Sequence, residues 1–137
     1  RVKAKFKTIR NGKEFLMPTT TERLASYKPF GKLKFKINGI KYKLMVYQNQ
    51  ELLKNPDYVD YLFLPFTDLT NGDETYGGGR YLDFRIEDLE NNPVIDFNKS
   101  YNPYCAYNHR YSCPIPPTSN RLNVKIEAGV KAPPFKH

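Results

Sequence analysis

Residues 32–46, KLKFKINGIKYKLMV, decide the fold. Leu33, Phe35 and Ile37 alternate with Lys32, Lys34 and Lys36; beyond Asn38-Gly39, Ile40, Tyr42, Leu44 and Val46 alternate with Lys41, Lys43 and Met45. Successive side chains of a strand point to opposite faces, so this period of two gives one apolar and one cationic face. Asn-Gly tolerates the positive φ that a two-residue turn demands, which makes the stretch a β-hairpin.

The same pattern spreads outward. Upstream, Val2, Ala4 and Phe6 alternate with Lys3, Lys5 and Lys7, and Asn11-Gly12 predicts a second hairpin whose return strand, 13–17, is closed by Pro18. Residues 19–31 read as a polar connection anchored by Tyr27 and Phe30. Downstream, 48–57 reads as a connection with one helical turn at 50–54, and 58–66 as an apolar strand in which Pro65 marks an end or a bulge. A turning, glycine-rich loop spans 67–79. Residues 80–87 then alternate, with Tyr81, Asp83, Arg85 and Glu87 on one face and Leu82, Phe84 and Ile86 on the other. A turn at 90–93 leads to a short strand at 94–97, and the last strand is expected at 121–128 with Leu122, Val124 and Ile126 inward. About eight short strands without a long helix predict an all-β fold, a single antiparallel β-sandwich or small barrel.

At 137 residues the chain makes one domain: a Lys-rich hairpin meander over 1–54, a second half over 55–131 and a frayed tail at 132–137. The net charge of +8 is unevenly placed, because 1–54 holds 14 Lys or Arg against 3 acids while 55–137 holds 8 against 11. A basic half suits an anionic partner in principle. Here the lysines alternate strictly with core residues and few arginines accompany them, so we read them as a solvated sheet face that resists aggregation, and nucleic acid is not an expected partner. No apolar run approaches the ~20 residues of a membrane-spanning helix. The chain opens on Arg1, not Met, and reads as a trimmed fragment from which a signal peptide would already be missing.

Residues 96–121, DFNKSYNPYCAYNHRYSCPIPPTSNR, carry both cysteines, four tyrosines, four prolines and four asparagines. Pro and Asn break ladders and helices, yet the aromatic content is too high for a floppy linker. We expect a long ordered Tyr/Asn/Pro-rich loop, the usual place for a functional site. Cys105 and Cys113 would form a disulfide in an oxidising compartment and remain buried thiols in a reducing one. Cys105, His109 and Cys113 supply three zinc-type ligands where a structural site wants four, and the other histidine, His137, is in the tail. No metal and no cofactor is expected. A Cys105–His109 nucleophile pair rests on sequence adjacency alone. Gly77-Gly78-Gly79-Arg80 lacks the Lys-Ser/Thr of a phosphate-binding loop and precedes a strand. Arg80, beside those glycines, is placed for a bidentate contact with a carboxylate, Asp96 or Glu127, or with a ligand. We expect it to be buried and hydrogen-bonded to the 96–120 segment.

Three segments, TYGGGRYLDF (75–84), DFNKSYNPYCAYNHRYSCPIPP (96–117) and NRLNVKIEAGVK (120–131), resemble a bacterial family of domains of unknown function, the one numbered 1684. PFTDLTNGDETY (65–76) fits the approach to the first segment, and the N-terminal half fits more loosely. The pattern falls on Thr75, Tyr76, Arg80, Asp96, Asn98, Tyr101, Asn102, Cys105, Cys113, Asn120 and Glu127, and does not fix His109. The resemblance implies no established activity. It implies an exported, periplasmic or extracellular, domain, which makes a small molecule or an envelope component the expected partner. Candidate ligand-binding residues are Tyr76, Arg80, Asp96, Asn98, Tyr101, Asn102, Asn120 and Glu127. The alternative is a hydrolase with Asp96 or Glu127 as acid or base and Arg80 as a clamp on the developing negative charge.

Overall fold

The structure, a computed structural model, describes residues 1–108 and 110–133. His109, on which the zinc and Cys–His readings turn, and residues 134–137 of the tail lie outside the described residues. The strands are β1 (Val2–Thr8), β2 (Phe15–Pro18), β3 (Leu24–Ile37), β4 (Ile40–Asn49), β5 (Tyr61–Phe66), β6 (Arg80–Arg85) and β7 (Val94–Ile95), with one short helix α1 (Ile86–Glu90). All seven join one antiparallel sheet, in the order β6-β5-β4-β3-β1-β7 with β2 also on β3, curled into a half-barrel. The all-β class holds, and the architecture of the described residues is one curled sheet.

The 32–46 hairpin forms in the expected register, with Leu33 opposite Leu44, Phe35 opposite Tyr42 and Ile37 opposite Ile40. Asn38 (φ 52°) and Gly39 (φ 80°) make its turn. Leu33 and Leu44 have no exposed surface, and burying each such side chain contributes about 1.5–3 kcal/mol. Inside the curl they meet Val46, Leu62, Leu64, Phe66, Leu82 and Phe84, with Phe97, Leu122 and Ile126 closing the core from beyond the sheet. A second cluster, Met17, Ala25, Tyr27, Tyr47, Phe63 and Tyr81, is buried separately.

Two expectations fail in the first half. Asn11-Gly12 does not turn a β1–β2 hairpin; neither residue has positive φ. Residues 24–37 are no polar connection but a 14-residue strand, and β1 and β2 lie along it one after the other, at Ala4–Thr8 opposite 35–31 and Phe15–Pro18 opposite 27–24. The Ile9 N–H donates to the Phe30 carbonyl at 2.9 Å between them. Both pieces therefore take ladder bonds from one long strand, and 9–14 is an excursion. Two expectations fail in the second half. Pro65 does mark a strand end, since β5 stops at Phe66, but the strand expected over 80–87 stops at Arg85, where α1 begins. Residues 121–128 form no strand: the segment makes one bridge, Thr67 with Arg121, and a further backbone bond from the Leu69 N–H to the Val124 carbonyl at 3.1 Å, and no ladder follows. Leu122 and Ile126 are nevertheless buried and Val124 half-buried, as their alternation requires.

Candidate functional site

Arg80 opens β6 with the same parity as Leu82 and Phe84, so its side chain enters the core, where it has no exposed surface. Its Nη2 donates to Asp68 Oδ2 at 3.2 Å and to the Ile126 carbonyl at 2.8 Å; its Nη1 donates to the carbonyls of Ala128 (2.7 Å) and Val130 (3.3 Å). Three alternate carbonyls of one extended segment thus converge on one guanidinium, whose planar fork suits such an array. Nε has no partner, and the group lies over the Phe66 ring with its carbon 5.2 Å from the centroid. Burial pulls the guanidinium below its usual range while Asp68 pushes it back.

Asp68 is fixed in turn. Its Oδ1 accepts from the Thr70 hydroxyl (2.7 Å) and N–H (3.2 Å), and its Oδ2 also accepts the Ile126 N–H at 2.6 Å. The Thr70 hydroxyl meets that of Thr75 at 2.9 Å. Arg80 is therefore buried as expected, but its carboxylate is Asp68, not Asp96 or Glu127, and its carbonyls lie at 126–130, beyond the 96–120 segment. Gly129 completes the cradle: its φ is 89°, and a Cβ there would collide with Ser100 Oγ and the Phe97 carbonyl beside Arg80 Nη1.

Asn120 plays a parallel part between β4 and β5. Its Oδ1 accepts the Met45 N–H at 2.7 Å, and its Nδ2 donates to the carbonyls of Met45 (2.9 Å) and Pro65 (2.8 Å). Pro65 has no N–H to give, and β4 pairs with β5 only at Tyr47–Phe63. The carboxamide acts as an inserted peptide unit where the ladder lapses.

The remaining candidates do not gather around Arg80. Asp96 accepts the Asn98 N–H at 3.1 Å and caps a turn at Phe97–Lys99; Asn98 is exposed. Glu127 is exposed, and its carbonyl accepts from Lys131 Nζ at 2.5 Å. Asn102 is buried, with Nδ2 on Tyr107 Oη (3.1 Å) and the Lys131 carbonyl (3.0 Å) and Oδ1 unpartnered. Tyr76 is half-buried with its hydroxyl 3.5 Å from Cys105 Sγ. Cys105 and Cys113 are buried free thiols, and the Cys105 N–H donates to Cys113 Sγ at 3.2 Å. Burial, and then the hydrogen bond with Cys105, pushes the Cys113 thiol up to about 11.

Tyr101 alone of the candidates stands in an open constellation. Its backbone bridges Tyr81 on the edge strand β6, and its hydroxyl donates to Asp83 Oδ1 at 2.7 Å, which also accepts from Tyr61 at 2.6 Å. Both phenols are raised from their ordinary value, first by burial and further by Asp83. Beside them a hollow of about 200 Å³ is lined by Tyr58, Tyr61, Asp83, Phe84, Arg85 and Asp88. Arg85 bridges to Asp60 Oδ1 at 2.8 Å. Tyr61 and Asp83 were not singled out by the sequence; only the outward parity of Asp83 pointed to its exposure.

With this geometry in view, two comparisons bear on kinship. The profile of the family described as "Protein of unknown function (DUF1684)" matches residues 1–131. The chain belongs to this family. The match takes in the N-terminal hairpins as well as the three segments quoted above. Among solved structures, the solution NMR structure of an uncharacterized protein from gene locus rrnAC0354 of Haloarcula marismortui is similar at 29% identity with a TM-score of 0.70, covering 96% of this chain and 70% of that one. No curated protein matches the chain.

Proposed function

We propose that this DUF1684 domain is a binding or structural module of the cell envelope, not an enzyme. One observation carries the reading: Arg80, the central cation of the family pattern, has no exposed surface and directs four contacts to Asp68 and the 126–130 backbone. A clamp on a reacting group has to reach that group, and this guanidinium is enclosed. The part left open to a small polar ligand is the outer side of the 96–120 segment, where Tyr101 and Tyr61 hold Asp83 beside the 200 Å³ hollow. Both phenol donations fall on Oδ1, so a ligand donor can approach the other carboxylate oxygen. Export to the periplasm or the outside is the location this reading takes from the family resemblance.

The test is a ligand screen by NMR shift perturbation, followed by Asp83→Asn and Tyr101→Phe. Binding lost in both variants at an unchanged melting temperature supports the reading. Turnover on esterase, phosphatase or glycosidase substrates, abolished by Asp96→Asn or Glu127→Gln with the fold intact, overturns it in favour of a hydrolase. Recovery of the native protein from the cytoplasmic fraction would remove the envelope location.

A further inference from the structure

The lysines of the first half form a grid. Lys5 lies opposite Lys34 and Lys34 opposite Lys43; Lys7 lies opposite Lys32, and Lys36 opposite Lys41. Direct partners share a face, so these ammoniums stand on the outer face of the half-barrel in rows about 5 Å apart. Like charges directly opposite are destabilising. A face built for solubility alone would interleave Glu with Lys. None of these lysines forms an ion pair among the described residues. A concavity of about 1180 Å³ at this end takes in Arg1 and six lysines (3, 5, 34, 36, 41 and 43) and no carboxylate. The fold leaves this repulsion uncompensated, and an anionic partner would relieve it.

The apolar residues nearby choose among anions. Ile40, at the tip of the same hairpin, pairs with Ile37 beside the Lys36–Lys41 pair and is 58% exposed, and the concavity is also lined by Val2, Phe35, Ile37 and Tyr42, the apolar positions of the same strands, which face the inner side of the curl. An exposed aliphatic tip beside ammoniums suits the boundary between lipid headgroups and acyl chains, where long cationic side chains keep their charge in water. Nucleic acid would call for arginine forks and stacking aromatics, and the tip offers neither. From the lysine grid and the Ile40 tip together, we infer that the hairpin-tip end of the sheet, with the ammoniums of its outer face around it, docks the domain on an anionic lipid bilayer. The inference concerns a different surface from the Tyr101–Asp83 constellation and stands independently of the reading given to it.

The probe is the whole chain with vesicles of equal parts phosphatidylglycerol and phosphatidylcholine, and with vesicles of phosphatidylcholine alone. Binding is expected to the first only, weakening as salt shortens the Debye length from about 10 Å at 0.1 M to 3 Å at 1 M. Each lysine near an anionic surface contributes about a fivefold gain in partition. Neutralising the row Lys5→Gln/Lys34→Gln/Lys43→Gln should therefore weaken binding roughly a hundredfold, with the melting temperature held or raised. Ile40→Ser should weaken it further, while Lys99→Gln/Lys125→Gln, outside the grid, should leave it unchanged. Equal binding to both vesicle types, no binding to either, full binding by the row variant, or tighter binding to duplex DNA than to anionic vesicles would overturn the inference.

Discussion

The 32–46 hairpin and the 120–130 segment pack against the same core by opposite means. In the hairpin, backbone bonds to backbone through six paired positions, and side chains only choose a face. In the segment, backbone bonds with Thr67 and Leu69 hold only 120–124; beyond them the carbonyls of 126, 128 and 130 go to Arg80 and the Ile126 N–H goes to Asp68, while Asn120 fills a lapse between β4 and β5. The comparison teaches that a buried extended segment can do without a ladder if fixed side chains take its polar groups. The consequence is an unequal sensitivity to substitution. A ladder survives the loss of any one side chain on its solvent face; the 126–130 stretch, which rests on Arg80 and Asp68, does not survive the loss of either unharmed.

The largest effect should follow from Arg80→Ala. It leaves Asp68 charged and buried with three carbonyls unpaired, and should cost about 3–5 kcal/mol in chemical denaturation, a large part of an ordinary domain's stability. Arg80→Lys should recover little, because an ammonium lacks the fork. A well-folded Arg80→Ala protein with an unchanged melting temperature and lost binding would mean the arginine faces a ligand.

Asn120→Ala comes next. The Met45 N–H and the carbonyls of Met45 and Pro65 lose their partner, at roughly 2–3 kcal/mol. Asn120→Asp should fare no better, since a carboxylate can accept from Met45 but cannot donate to either carbonyl. Equal stability of the two proteins in urea would show that β4 and β5 can close the gap themselves.

How much of this was legible in the sequence follows the same division. Alternation and Asn38-Gly39 gave the hairpin, its register and its lysine face, because a ladder is written in residues near one another along the chain. Asn11-Gly12 carried the same local signal but was overruled, since β3 offers both β1 and β2 a longer edge than they offer each other. The burial of Arg80 could be read, and its parity with Leu82 and Phe84 is the signal that places it in a core. Its partner could not: Asp68 and the 126–130 carbonyls converge only through the fold, and Asp68-Leu69-Thr70-Asn71-Gly72 reads locally as a turn. For the same reason Tyr61 and Tyr101, 40 residues apart in sequence, gave no hint of sharing Asp83.

A smaller effect is alkaline. Tyr81, Tyr61 and Tyr101 bind their protons more tightly folded than unfolded, chiefly through burial, and Cys113 does so up to about 11 from an ordinary 9.0. Groups raised in this way stabilise fully below their unfolded values and lose that contribution as pH rises beyond them. Stability should be level below pH ~9 and then fall, by up to about 1.4 kcal/mol per pH unit for a well-buried group such as Tyr81 and less for exposed Tyr101. Urea midpoints between pH 8 and 11 check this, and a flat profile would contradict it.

The smallest effect is expected on the ladder side. Lys34→Gln removes a like-charge neighbour of both Lys5 and Lys43 and should leave stability unchanged or raise it by about 0.2–0.5 kcal/mol at low salt. A loss of more than about 1 kcal/mol would erase the contrast between the two regions.

Amide hydrogen exchange in the native state of Arg80→Lys, read residue by residue against the unsubstituted protein, tests the central claim most directly. The account predicts a selective loss of protection at Ile126, whose N–H rests on Asp68, with Leu122, bonded to the Thr67 carbonyl, losing less and the Leu33 and Leu44 amides keeping theirs up to the limit of global unfolding. Unchanged protection at Ile126 would show that this stretch is held by something other than the Arg80 clamp.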